Sequence, residues 1–193
     1  MTKGRLEAFT DGVVAILITI MVLELKVPHA VGLAGLREVY PTLLAYLLSF
    51  VMLGIYWNNH HHMMHSAKHV DGGVLWANLH LLFWLSLVPF TTLWMDETGF
   101  EASTVGIFGV NLLLCAVAYT ILVQALLKVH GKRSDFAERL GNDLKGRMSL
   151  AIYLVSVLAS FWLPAVSLAG YVVVACIWLV PDRRFAHHAD DAA

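Results

Sequence analysis

The chain is predicted to be an all-α membrane protein, and three observations carry that prediction. Fifty-nine per cent of its 193 residues are hydrophobic and only 14% are charged, far from the balance of a soluble domain. The apolar residues gather into blocks of spanning length, which takes about 20 mostly apolar residues per helix. Apart from Asp11 and Glu24 in the first block, the charges sit between the blocks, with a bias of sign that orients them across a bilayer.

The first block runs from Ala8 to Leu25 and stops at Lys26-Val27-Pro28. The second runs from Pro41 to Trp57 after Arg37-Glu38, the third from Val74 to Trp94, and the fourth from Ser103 to Leu127. The last, Met148 to Val180, holds 33 residues. As one helix it would be about 50 Å long against a hydrocarbon core of about 30 Å. Pro164, followed by Ser167 and Gly170, offers a break, so this block is read as two short spans and the chain as six transmembrane helices. Pro89-Phe90-Thr91-Thr92 predicts a kink near the end of the third block.

Charge supports the even count. Lys128, Lys132, Arg133, Arg139, Lys145 and Arg147 precede the last block, and Arg183 and Arg184 follow it. Two basic flanks on one side require an even number of spans between them. Lys3 and Arg5 place the N-terminus in the cytoplasm with the C-terminus, and the acidic Asp96–Glu101 connection suits the outside. Residues 1–184 are read as one six-helix domain in the cell (inner) membrane, with Asp135–Arg147 a solvated amphipathic segment and 185–193 a polar tail. Asp11 interrupts the first apolar run, which is therefore read as a retained helix rather than a cleaved signal.

Composition also narrows function. A net charge of −1 and the lack of a basic stripe with interleaved aromatics argue against a nucleic-acid partner. Cys115 and Cys176 both lie in apolar runs and read as small hydrophobes. No nucleophile–base pair, paired carboxylates or HExxH motif is readable, so no enzyme, no metal site and no cofactor is expected. His61 and His65 share a helix face, but no carboxylate or thiol stands close enough to complete a metal site.

On the first helix Ile16, Thr19, Ile20 and Leu23 follow i, i+3, i+4, i+7 spacing and form one face. It reads in two ways. It is a packing seam, with the Thr19 hydroxyl returned to the Ala15 carbonyl. Alternatively it lines a pore in an oligomer, aliphatic rings gating by dewetting and a hydroxyl ring replacing part of an ion's hydration. Arg5 and Asp11 stand at the mouth of the same helix, about 120° from eclipsed. Arg5 and Asp11 read as groups paired with other helices, and Thr10-Asp11 alternatively as a helix cap. Asn78 and His80 in the third block seek partners across helices. The histidines at the end of the second block read as groups near anionic headgroups or an Asp, with a pKa suited to pH sensing, and Trp57 suits an interfacial belt.

Arg5-x-x-x-Phe9-Thr10-Asp11-Gly12 resembles the R-x-x-x-F-S-D motif of the transmembrane-protein-175 family of potassium channels in its short prokaryotic form. Trp57 with His60-His61, and Trp76-x-Asn78 followed by Pro89-Phe90, resemble that family's second and third helices. The likeness covers residues 3–95, and the one departure, Thr10 for Ser, keeps the hydroxyl. The resemblance implies a homotetramer with the first helix of each chain around a central pore. It implies that Ile16, Ile20 and Leu23 form an aliphatic constriction and that Thr19 gives a hydroxyl ring tied to potassium preference. It further implies that Arg5, Asp11, His60 or His61, and Asn78 form an interhelical polar network that holds the first helix. The function expected is passive, moderately K⁺-selective cation conduction without a carbonyl filter. The competing expectation is a proton channel or proton-coupled transporter using the His/Asp cluster.

Overall fold

A computed structural model describes residues 2–131, 134–140 and 143–179. The polar tail at 185–193 and the basic residues Lys132, Arg133, Arg183 and Arg184 lie outside the described residues. The helices are α1 (Lys3–Leu23), α2 (Leu33–Ser66), α3 (Gly72–Ser86), α4 (Val88–Glu97), α5 (Ala102–His130), α6 (Asp135–Leu140), α7 (Leu144–Ser160) and α8 (Pro164–Leu179). Among the described residues, four helical segments are long and apolar enough to cross a membrane: α1, α2, α3 with α4, and α5.

Several boundaries depart from the apolar blocks. α1 starts at Lys3 rather than Ala8, so Thr10 and Asp11 are interior and do not cap it. α2 has 34 residues and runs straight through Pro41 to Ser66. The apolar block measures only the part suited to hydrocarbon; the helix continues beyond it at both ends, because Arg37, Glu38 and the histidines do not break a helix. The segment between α5 and α7 is not simply solvated: Phe136 of α6 is buried and stacks on His130, with ring centroids 5.2 Å apart.

The third block is two helices, α3 and α4, meeting at Leu87. Pro89 sits in the first turn of α4, where its missing N–H costs nothing. The break leaves the Val88 N–H without its usual intrahelical partner. With its carboxamide oxygen turned toward α4, Asn111 of α5 accepts from Val88 N (3.2 Å) and donates to the Trp84 carbonyl (3.1 Å). A buried amide thus bridges the groups the kink frees.

α5 is the hub. Val105, Phe108, Leu112, Cys115, Leu122 and Leu126 repeat at intervals of three, four or seven residues and are fully buried. The first three join a cluster with Met52, Met95, Tyr153 and Tyr171, and the rest join one with Leu6, Leu53, Leu81 and Leu85. A Cβ at Gly109 would run into the Tyr171 hydroxyl, which donates to the Val105 carbonyl (3.2 Å), so α8 crosses α5 at a point only glycine permits. The break before Pro164 falls at residues 161–163, between α7 and α8. Ser167 donates to the Ser156 carbonyl (2.6 Å) and Trp178 to the Ser149 hydroxyl (2.8 Å). That reversed order makes the pair an antiparallel hairpin.

Polar contacts tie the helices together at both ends. At one end, Lys3 caps α2 by donating to the carbonyls of Met64 (3.0 Å) and Ala67 (3.1 Å). Nearby, His130 Nε2 accepts from the amides of Lys68 (2.8 Å) and His69 (3.3 Å). At the other end, Thr42 donates to Asp96 (2.8 Å) and Lys26 pairs with Glu97 (3.3 Å). The cysteines are free, Cys115 buried and Cys176 exposed.

Candidate functional site

α1 uses one side for the fold and leaves the other bare. Leu6, Thr10, Val14, Leu17 and Met21 are buried against α2, α3 and α4. On the far side Ile16 is 57%, Ile20 42% and Leu23 79% exposed. These are large aliphatic side chains in a regular row, and none of the described residues covers them. Thr19 lies in that row, also exposed, and donates to the carbonyls of Ala15 (2.9 Å) and Ile16 (3.0 Å). Its hydrogen is therefore committed to its own helix. What the hydroxyl presents outward is oxygen lone pairs, which suit a cation rather than an anion.

Behind the buried side lies a chain of three polar groups from three helices. His60 Nε2 on α2 donates to Asn78 Oδ1 on α3 (2.9 Å), since a carboxamide oxygen only accepts. Asn78 Nδ2 donates in turn to Thr10 Oγ1 on α1 (2.9 Å). All three side chains are buried. In this setting each bond is enforced by the cost of leaving a polar group bare. Asp11, one residue on and exposed, is held separately: Trp57 Nε1 on α2 donates to its Oδ1 (2.9 Å). α1 is thus pinned to α2 and α3 by two adjacent residues pointing in different directions.

Of the five residues expected in one polar network, the structure joins His60 and Asn78 directly and places Asp11 beside them on Trp57. Arg5 and His61 stand apart. Arg5 is exposed and makes no side-chain hydrogen bond or ion pair among the described residues. The His61 ring is exposed and stacks between Trp57 (6.2 Å) and His65 (6.4 Å) along α2. The physical reason is angular. His60 and His61 are about 100° apart around the helix, so only one of them faces α3. His80 also departs from expectation: it accepts from Trp84, one turn along its own helix (2.9 Å), rather than from a neighbour.

Sequence reasoning missed Thr10 as the terminus of the buried chain, Trp57 as the partner of Asp11, Lys3 as the cap of α2, and Asn111. The last had a signal: a lone amide in an apolar block, the same pattern that singled out Asn78.

The family model described as endosomal/lysosomal potassium channel TMEM175 matches residues 5–89, which hold both the bare row and the polar chain. A protein from Chryseobacterium sp. (strain P1-3), named as a potassium channel, is 48% identical over 184 residues, covering 95% of this chain and 96% of its own. The crystal structure of a lysosomal potassium-selective channel TMEM175 homolog from Chamaesiphon minutus superposes with a TM-score of 0.80 at 28% identity, covering 94% of this chain and 97% of that one. A Gallus gallus protein named endosomal/lysosomal proton channel TMEM175 is 40% identical over 73 residues, 32% of this chain and 15% of its own.

Proposed function

The chain belongs to the TMEM175 family, and we propose that four copies of it form a moderately potassium-selective cation channel in the cell membrane, with α1 of each around a central axis. The observation that carries this reading is the bare row Ile16–Thr19–Ile20–Leu23. It is the one side of α1 the fold does not use, and four-fold packing about an axis would cover it.

In that arrangement Ile16, Ile20 and Leu23 make three aliphatic rings. A constriction so lined expels water and closes the path unless the rings part. Thr19 contributes a ring of four oxygens between them. K⁺ sheds its hydration more readily than Na⁺, so weak hydroxyl ligands in a narrow path favour K⁺, though less strictly than a ring of carbonyls. The His60–Asn78–Thr10 chain and the Trp57–Asp11 bond fix the rotation of α1, which sets which row faces the axis. Both termini lie in the cytoplasm and α7 and α8 complete six spans. Their 17 and 16 residues are short for the core, a mismatch met by local thinning of the bilayer.

The test is flux through the protein in vesicles carrying opposed K⁺ and Na⁺ gradients. The reading predicts a reversal potential that follows K⁺ and shifts toward zero in Thr19→Ala. An unchanged potential in that variant refutes the hydroxyl ring. The Gallus gallus relative named as a proton channel, together with the buried His60, favours a second reading, proton conduction. It predicts a potential that follows the pH gradient and is indifferent to Thr19. Against it, the described polar chain ends at Thr10 near one end of α1 and does not cross the span.

A further inference from the structure

A second feature, independent of which ion passes, is lined by no residue of α1. Between α2 and α8 runs a cleft of about 590 Å³. Tyr40, Leu44, Leu48 and Val51 line it from α2, and Leu168 and Leu179 mark its two ends on α8. Its lining carries no charge and one hydroxyl, that of Tyr40. α2 and α8 both start at the Lys26–Glu97 end, so they run the same way along the cleft. From Tyr40 to Val51 the cleft is about 16 Å long at the helical rise. That is about half of the roughly 30 Å hydrocarbon core, one leaflet deep.

The end of the cleft at Tyr40 has the chemistry of a headgroup boundary. Tyr40 is exposed and amphipathic, as residues at that level are. One turn earlier on the same face of α2 stands Arg37, at i with Tyr40 and Pro41 at i+3 and i+4. Arg37 is exposed and makes no ion pair or side-chain hydrogen bond among the described residues. Glu38 does not neutralise it: that side chain lies about 100° around the helix and accepts from the Ala30 amide (3.4 Å).

An apolar slot one leaflet deep, with a free guanidinium and a tyrosine at its mouth, matches one molecule in shape and charge. We infer that the cleft holds an acyl chain of an anionic phospholipid, whose phosphate is bound by Arg37. The planar guanidinium takes two phosphate oxygens at once. The chain replaces a void that would otherwise forfeit packing along its whole lining.

The experiment is native mass spectrometry of the intact purified protein in detergent, titrated with phosphatidylglycerol or with phosphatidylcholine of the same acyl chains. The wild type should retain about one phosphatidylglycerol per chain in preference to phosphatidylcholine. Arg37→Gln should weaken phosphatidylglycerol binding about fivefold, the effect of one cation at an anionic lipid surface, and abolish the preference. Leu48→Trp, which fills the slot, should remove both lipids, while Lys26→Gln, at the same end but off the cleft, should change neither. Equal retention of the two lipids by the wild type and Arg37→Gln overturns the proposal. So does a Leu48→Trp variant that keeps its lipid, or one that dissociates the assembly instead, since the cleft would then seat a second copy of this chain.

Discussion

α1 and α5 are both long, apolar and almost equally hydropathic, yet they are packed very differently. Half of the most apolar stretch of α5 is buried inside the chain, against 28% of that of α1. α5 is packed on several sides by α3, α4, α7 and α8. α1 gives the fold one stripe and leaves the other uncovered by the described residues. Hydropathy alone therefore separates membrane from water but not a packed helix face from a bare one. The distinction lies in which stripe of each helix finds partners, and it should appear when each is cut.

The largest effect is expected on the scaffold. Leu112→Ala removes a fully buried side chain at the middle of α5 and should cost about 2–5 kcal/mol, read as a drop in thermal midpoint. Ile16→Ala on the bare row should leave the midpoint of the isolated chain nearly unchanged and instead raise leak current in vesicles. If Ile16→Ala destabilises as much as Leu112→Ala without altering current, α1 is scaffold like α5.

Next comes the joint between the two kinds of helix. Asn78→Ala strands both His60 and Thr10 in a buried site and should cost about 1–3 kcal/mol. Trp76→Ala, an exposed neighbour on the same helix, should cost far less, and equal losses would show that the buried chain contributes nothing. His130→Ala removes the acceptor of two backbone amides that water can partly replace. A loss of about 1 kcal/mol is expected in denaturant titration. The smallest effect belongs to Lys26→Gln, whose exposed pair with Glu97 is worth about 0–1 kcal/mol.

How much of this could be read in the sequence follows from the same contrast. The existence of the helices, the break before Pro164 and the bend near Pro89 were legible, because apolar length and proline are local signals. The full reach of α2 was not, because its polar ends continue a helix that the apolar block does not mark. The bare row on α1 was visible as a period, but on an all-apolar helix every face is apolar, and only packing separates a seam from a surface. His60 could not be chosen over His61 for want of the rotation of α2. Asn111 needed the bend at Leu87, which frees the very groups it binds. The cleft beside α8 has no local pattern at all, since it arises from two helices distant in sequence.

The claim at the centre is that the bare row of α1 lines the conducting path. The most direct measurement is the current through a Leu23→Cys channel before and after a thiol-reactive cation is applied, with the wild type and its two native cysteines as reference. The account predicts rapid, irreversible block of Leu23→Cys and none of the wild type. Current through Leu23→Cys that survives the reagent, after labelling of that cysteine is verified by mass, would contradict it.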